Sequence, residues 1–154
     1  MFVLYHGSPH LVNELHEKKP RGDTSFNSKQ GIYCTSNFIE ASIYAIARDI
    51  ERNNKSWGVA YIKNSPFLIL KKEKWHGSQA KYALNKIGYV YEFNFASKTR
   101  IYQNPNPDRV TEWRINKKNI IPTKIHVVLL KHVKKYILYL SEAEYNLFWS
   151  QRNT

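Results

Sequence analysis

The sequence is poor in cysteine, in acidic residues and in long apolar runs, and each shortage narrows what the chain can be. Its one cysteine, Cys34, rules out an internal disulfide framework and fits a reducing compartment. No apolar run reaches the length of a bilayer-spanning helix. Residues 1–5 are too few, and lack the basic lead, for a signal peptide. A cytoplasmic protein with no membrane partner is therefore expected. The six histidines are scattered, with no His/Cys group at metal-ligand spacing, so no metal site is expected. There is no glycine-rich phosphate loop and no Rossmann-type dinucleotide fingerprint.

What is present is apolar, aromatic and basic. At 154 residues, 42% hydrophobic and 14% aromatic, the chain suits one packed domain spanning residues 1–154, and no linker or repeat divides it. Twenty-four basic residues against twelve acidic ones give a net charge of +12. That excess favours polyanions as partners, whether nucleic acid or an acidic protein face, although the basic residues are dispersed and also suit a solvated surface. The loosest clusters are Lys18-Lys19-Arg21, Lys71-Lys72-Lys74, Lys117-Lys118 and Lys131-Lys134-Lys135.

Short β-rich runs predict strands at residues 2–5, 32–34, 59–62, 67–70, 89–95, 109–115 and 124–131. An Asn64-Ser65-Pro66 turn separates two of them. Asn37 followed by Glu40 is a capping-box pattern, and Ile39, Ile43, Ile46, Ala47 and Ile50 follow at helical spacing until Asn53-Asn54. Ser141 and Glu144 form a second capping box, opening a C-terminal helix whose Tyr145, Leu147, Phe148 and Trp149 can pack inward. A short helix is expected around residues 79–85. Residues 9–30 read as a polar, mobile loop. Many strands with few helices, and no regular βαβ alternation, imply an α+β fold with mainly antiparallel sheets.

Five residues carry possible chemistry. His6-Gly7 ends the first strand. A neutral imidazole there can bond a ribose hydroxyl, and a glycine lets a ligand amide reach the backbone. Tyr33 lies on the second strand and Tyr44 eleven residues on, inside the helix. Two phenol rings can flank a flat heteroaromatic ring, although both also suit a core in a chain with eleven tyrosines. Glu112, between Thr111 and Trp113, is an acidic residue on a strand that can face a cleft or simply pair with Arg109 or Arg114. A carboxylate placed there stabilises positive charge developing at an anomeric carbon.

Taken together, His6-Gly7-Ser8, Gly31-Ile32-Tyr33 with Tyr44, and Glu112-Trp113 resemble the His-Tyr-Glu class of ADP-ribosyltransferases, which includes poly(ADP-ribose) polymerases and diphtheria toxin. The resemblance covers residues 3–131. It implies a split, mixed and largely antiparallel β-sandwich with a few flanking helices, and NAD as co-substrate. It implies that His6 binds the adenosine-side ribose, Gly7 main-chain atoms the nicotinamide carboxamide, and Tyr33 and Tyr44 the nicotinamide ring. Glu112 would be the catalytic carboxylate, with the acceptor loop within residues 17–30. The polymerase serine that bonds the carboxamide is replaced here by Ala41. Val110 stands where arginine-specific members carry a second Glu or Gln, which disfavours arginine as acceptor. The expected activity is mono-ADP-ribosyl transfer from NAD to an unidentified acceptor, with a toxin-like or phage-related role by analogy. The alternatives are a non-transferring NAD or ADP-ribose binder, an RNA 2′-phosphotransferase-like module, and a basic nucleic-acid-binding domain.

Overall fold

Ile87–Phe95 is buried on both faces, through Gly88 and Val90 on one and Tyr91 and Phe93 on the other, and the larger sheet is built around it. The computed structural model describes residues 1–18, 25–47 and 56–152. In chain order the strands are β1 (Phe2–Ser8), β2 (Leu15–His16), β3 (Ile32–Thr35), β4 (Trp57–Ile62), β5 (Ser65–Lys71) and β6 (Ile87–Phe95). They continue as β7 (Ile101–Gln103), β8 (Glu112–Ile115), β9 (Asn119–Ile120), β10 (Lys124–Leu129) and β11 (Ile137–Leu140). The helices are α1 (Phe38–Ile46), α2 (Lys72–Trp75), α3 (Leu130–Val133) and α4 (Glu142–Arg152).

The larger sheet has the order β10-β6-β1-β3-β8-β7, and a smaller one has the order β11-β5-β4. β2 and β9 form a two-stranded ribbon. Among the described residues, every ladder is antiparallel except β5–β11. The fold is thus mixed α+β with mainly antiparallel sheets, as the strand-rich sequence implies.

Helix α1 is the piece shared by both sheets. Ile43, Ala45 and Ile46 pack with Leu68 and Leu70 of β5 and with Val90 and Val128 of the larger sheet. The opposite face of the larger sheet buries Leu4, Ile32, Cys34, Tyr91, Phe93, Trp113 and Ile115. Burial pushes the Cys34 thiol well above its ordinary range, which leaves it an inert core residue. Beyond the small sheet, Ile69 and Ala60 meet Tyr145 of α4.

Two glycines set how closely α1 lies on the larger sheet. A Cβ on Gly7 would fall 1.8 Å from the Ala41 carbonyl oxygen, and one on Gly88 would fall 2.3 Å from that of Ala45. Ala41 and Ala45, one helical turn apart, therefore rest their backbone directly on β1 and β6. The close approach that Gly7 permits is that of α1, so on its helix side no ligand can reach it.

Several boundaries differ from the sequence reading. β1 runs on through His6 and Gly7 to Ser8, because Tyr91, Val90 and Tyr89 of β6 continue the ladder. The β4–β5 hairpin turns at Lys63 and Asn64, both at positive φ (50° and 66°), so Ser65 and Pro66 belong to β5. Residues 79–85 form no helix. Lys81 and Tyr82 both donate their N–H groups to the Lys74 carbonyl at 2.8 Å, and Tyr82 packs on Trp75, so tertiary contact overrides local propensity. Residues 107–109 form a 3-10 turn capped by Asn106, which delays β8 until Glu112 and leaves Val110 exposed. The last strand of the larger sheet ends at Leu129, where α3 begins. Within the expected loop, Leu15 and His16 pair with β9, and residues 25–28 form a turn. Residues 19–24 of that loop, and Ile50 and Asn53-Asn54 of the expected helix, lie outside the described residues. No helix among the described residues is long and apolar enough to cross a membrane.

Candidate functional site

The central strands β1, β3 and β8 carry His6, Tyr33 and Glu112 on three successive neighbours of the larger sheet. The β1–β3 ladder registers only Tyr5 with Thr35. Where the two strands part, the His6 imidazole bridges them, its Nδ1 2.7 Å from the Tyr33 carbonyl oxygen. A carbonyl only accepts, so Nδ1 carries the hydrogen and Nε2 is the acceptor nitrogen of the neutral ring.

Tyr33 is half-buried, and its hydroxyl faces the carbonyls of Phe26 (3.1 Å) and Lys29 (2.5 Å). Its ring meets Phe26 edge-on at 5.8 Å. Tyr33 thereby pins residues 25–29, part of the expected acceptor loop, over the sheet. Tyr44 projects from the outer side of α1, 41% exposed, with its ring edge-on to Trp57. The sequence left its direction open, and the structure turns it away from the Ile43–Ala47 core. Ala41 is fully buried against Gly7, and Ser42 donates to the Phe38 carbonyl of its own helix at 2.8 Å. Neither is placed to take over the role of the polymerase serine.

Glu112 opens β8 opposite Thr35. Its Oε2 accepts a 2.8 Å bond from Asn104 Nδ2, and Arg109 lies 3.7 Å away. Buried Asn104 holds Glu112 twice, because its own N–H also donates to the Glu112 carbonyl at 2.8 Å. Asn104 Oδ1 accepts from the Asn106 N–H, which fixes the orientation of its amide. Among the described residues, Oε1 of Glu112 has no protein partner. With a side chain 24% exposed, Glu112 combines one anchored oxygen with one available oxygen. A cleft of about 330 Å³ lies alongside, lined by Ser25, Phe26, Asn104, Pro105, Asn106 and Arg109. Phe26 joins it to Tyr33, while Asn104 and Arg109 join it to Glu112. None of the five candidate residues, His6, Gly7, Tyr33, Tyr44 or Glu112, is itself part of this lining.

A second carboxylate, read from the sequence only as a helix cap, organises the surroundings. Asn37 Oδ1 does accept the Glu40 N–H (3.0 Å), but the return bond of a capping box is not made by Glu40. Thr35 Oγ1 takes the Asn37 N–H instead and donates its hydrogen to Glu40 Oε2 at 2.8 Å. The same Oε2 accepts from Tyr61 (2.5 Å) and Thr111 (2.9 Å). One buried carboxylate therefore ties α1, β3, β4 and the residue before Glu112. Burial, and then the bond to Glu40, pushes the Tyr61 phenol far above its ordinary range. Glu40 precedes Tyr44 by one helical turn, so both lie on the same side of α1. The sequence signal for this knot is a hydroxyl two residues before the cap, with the acidic residue three after the cap.

No group of three or more His, Cys, Asp or Glu side chains suited to a metal occurs among the described residues. No protein-family model, no curated protein and no solved structure matches the chain.

Proposed function

We propose that this chain is an NAD-dependent mono-ADP-ribosyltransferase, with the split β-sandwich of that superfamily and with Glu112 as its catalytic carboxylate. The observation that supports this most is the state of Glu112. One oxygen is fixed by Asn104, the other is open, and a cleft lies beside it whose wall leads through Phe26 to Tyr33. A carboxylate held in this way meets the requirement for electrostatic stabilisation at a fixed position.

In this reading NAD is the substrate these residues meet. Glu112 Oε1 accepts the 2′-hydroxyl of the nicotinamide ribose, and its charge opposes the positive charge that develops at the anomeric carbon. His6, held to the Tyr33 carbonyl through Nδ1, is the residue assigned to the adenosine-side ribose. Main-chain atoms of Gly7 bind the carboxamide from the strand edge, since α1 covers the glycine's other side. Tyr33 bounds the nicotinamide ring from β3, Tyr44 stands apart from it beside Trp57, and Arg109 offers a cation at the cleft. Ala41 donates nothing, so the carboxamide relies on the backbone alone, and weak nicotinamide retention follows.

Incubation of the purified protein with NAD, with free nicotinamide as readout, tests the reading. Wild type should release nicotinamide, and Glu112→Gln should cut the rate by about 10²-fold or more while the melting temperature stays unchanged. Equal release by the two proteins, or no release by wild type, contradicts the proposal.

A further inference from the structure

The flank of α1 opposite Glu40 borders a second depression, of about 240 Å³, lined by Phe38, Ile39, Ser42, Val127, Val128, His132, Val133, Lys135 and Tyr136. Its floor is apolar and its rim is cationic. The sequence around it reads Leu130-Lys131-His132-Val133-Lys134-Lys135-Tyr136, and α3 runs directly into a 3-10 turn over Lys134–Tyr136. This winding sends Val133 into the core while Lys131, His132, Lys134 and Lys135 stay exposed. Lys86, also exposed, is brought alongside because its carbonyl accepts the Leu130 N–H at 2.9 Å. Among the described residues, no acidic side chain lines the depression. Glu92, on the neighbouring strand β6, is engaged by His126 at 2.9 Å.

Aromatic surface is available in the same place. Phe38 is 38% exposed and lines the depression, with Tyr5 and His126 packed against its ring in edge-to-face geometry. Val127, on the edge strand β10, is 64% exposed. An apolar slot with an aromatic side chain and Lys135 in its lining, and with exposed Lys131 and Lys134 beside it in sequence, none in an ion pair among the described residues, has the composition of a single-stranded nucleic-acid platform. Bases stack on such rings, and the backbone phosphates meet the cations. The net charge of +12 supplies the long-range attraction. We infer that the α1–β10–α3 depression binds single-stranded nucleic acid, with a base against Phe38 and phosphates against Lys131, Lys134 and Lys135. This inference does not depend on NAD chemistry.

Fluorescence anisotropy with a labelled oligo(U), without NAD and across a salt series, tests it. Lys134→Glu/Lys135→Glu should weaken binding at least tenfold and flatten the log–log salt slope by about 1.4, the value for two lost phosphate contacts on a single strand. Lys117→Glu/Lys118→Glu changes the charge equally at a distant exposed site and should weaken binding far less. Phe38→Ala should lower affinity about tenfold with the slope unchanged, as loss of one stacked base requires. Val127→Glu is the second variant should Phe38→Ala fail to fold, and it should also weaken binding. Equal losses in the two lysine pairs overturn the inference. So does duplex binding as tight as that of the single strand, or equal competition by polyglutamate.

Discussion

Glu40 and Glu112 lie on either side of the same pair of threonines, yet their environments are opposites. Glu40 is buried and gathers three hydroxyl donors on one oxygen. Glu112 has one amide donor, a distant arginine and an open oxygen beside a cleft. A buried carboxylate that gathers three protein donors is suited to hold elements together. A partly exposed one with a single amide donor is suited to meet a substrate. The two are coupled, because Thr111, which Glu40 grips, immediately precedes Glu112, and Thr35 registers opposite it. The buried acid thus positions the backbone from which the exposed acid projects.

The comparison breaks most sharply at Glu40. Glu40→Ala strips the acceptor from three hydroxyls in a largely buried setting and should cost about 3 kcal/mol of stability, measurable by urea unfolding. A loss below about 1 kcal/mol would mean that the knot is ornamental. Gly7→Ala probes the helix that carries Glu40. Its new methyl meets the Ala41 carbonyl, so α1 must shift, at a cost of about 2–3 kcal/mol. Arg109→Ala sharpens the other side. The pair with Glu112 is long and Arg109 is 54% exposed, so stability should change by less than about 1 kcal/mol. Any effect should appear in the KM for NAD.

The smallest expected effect concerns Glu144, an exposed counterpart in which hydroxyl donation is isolated from burial. The Ser141 hydrogen bonds hold its carboxyl below the ordinary value of 4.5. A folded value lowered in this way contributes stability that is present above the ordinary value and is lost as pH falls through the folded one. Ser141→Ala should return the Glu144 titration, followed by carboxyl NMR, toward 4.5 and remove that acid sensitivity of α4.

The local rules of sequence were enough for much of this frame. The Ser141–Glu144 box forms with both arms, at 3.2 and 3.1 Å, because every partner lies within one helical turn. Asn37 caps α1, and the alternating run at residues 89–95 is the heart of β6. In α4, Tyr145 is buried but Leu147 is 58% exposed, since the helix offers only one side to β5. What sequence could not show depends on distant partners. The parallel pairing of β11 with β5 joins residues about seventy positions apart. Glu40 resembles an ordinary capping glutamate until Tyr61 and Thr111 are brought against it. His6, Tyr33 and Glu112 were legible as residue types at suggestive spacing. Their placement on adjacent strands, and the separate position of Tyr44 beside Trp57, were not.

The central contrast is tested most directly by measuring nicotinamide release and melting temperature side by side on Glu112→Gln and Glu40→Gln. The account predicts that Glu112→Gln keeps the wild-type melting temperature and loses turnover by about 10²-fold or more, whereas Glu40→Gln melts lower and loses less turnover. A Glu112→Gln protein that turns NAD over at the wild-type rate would contradict it.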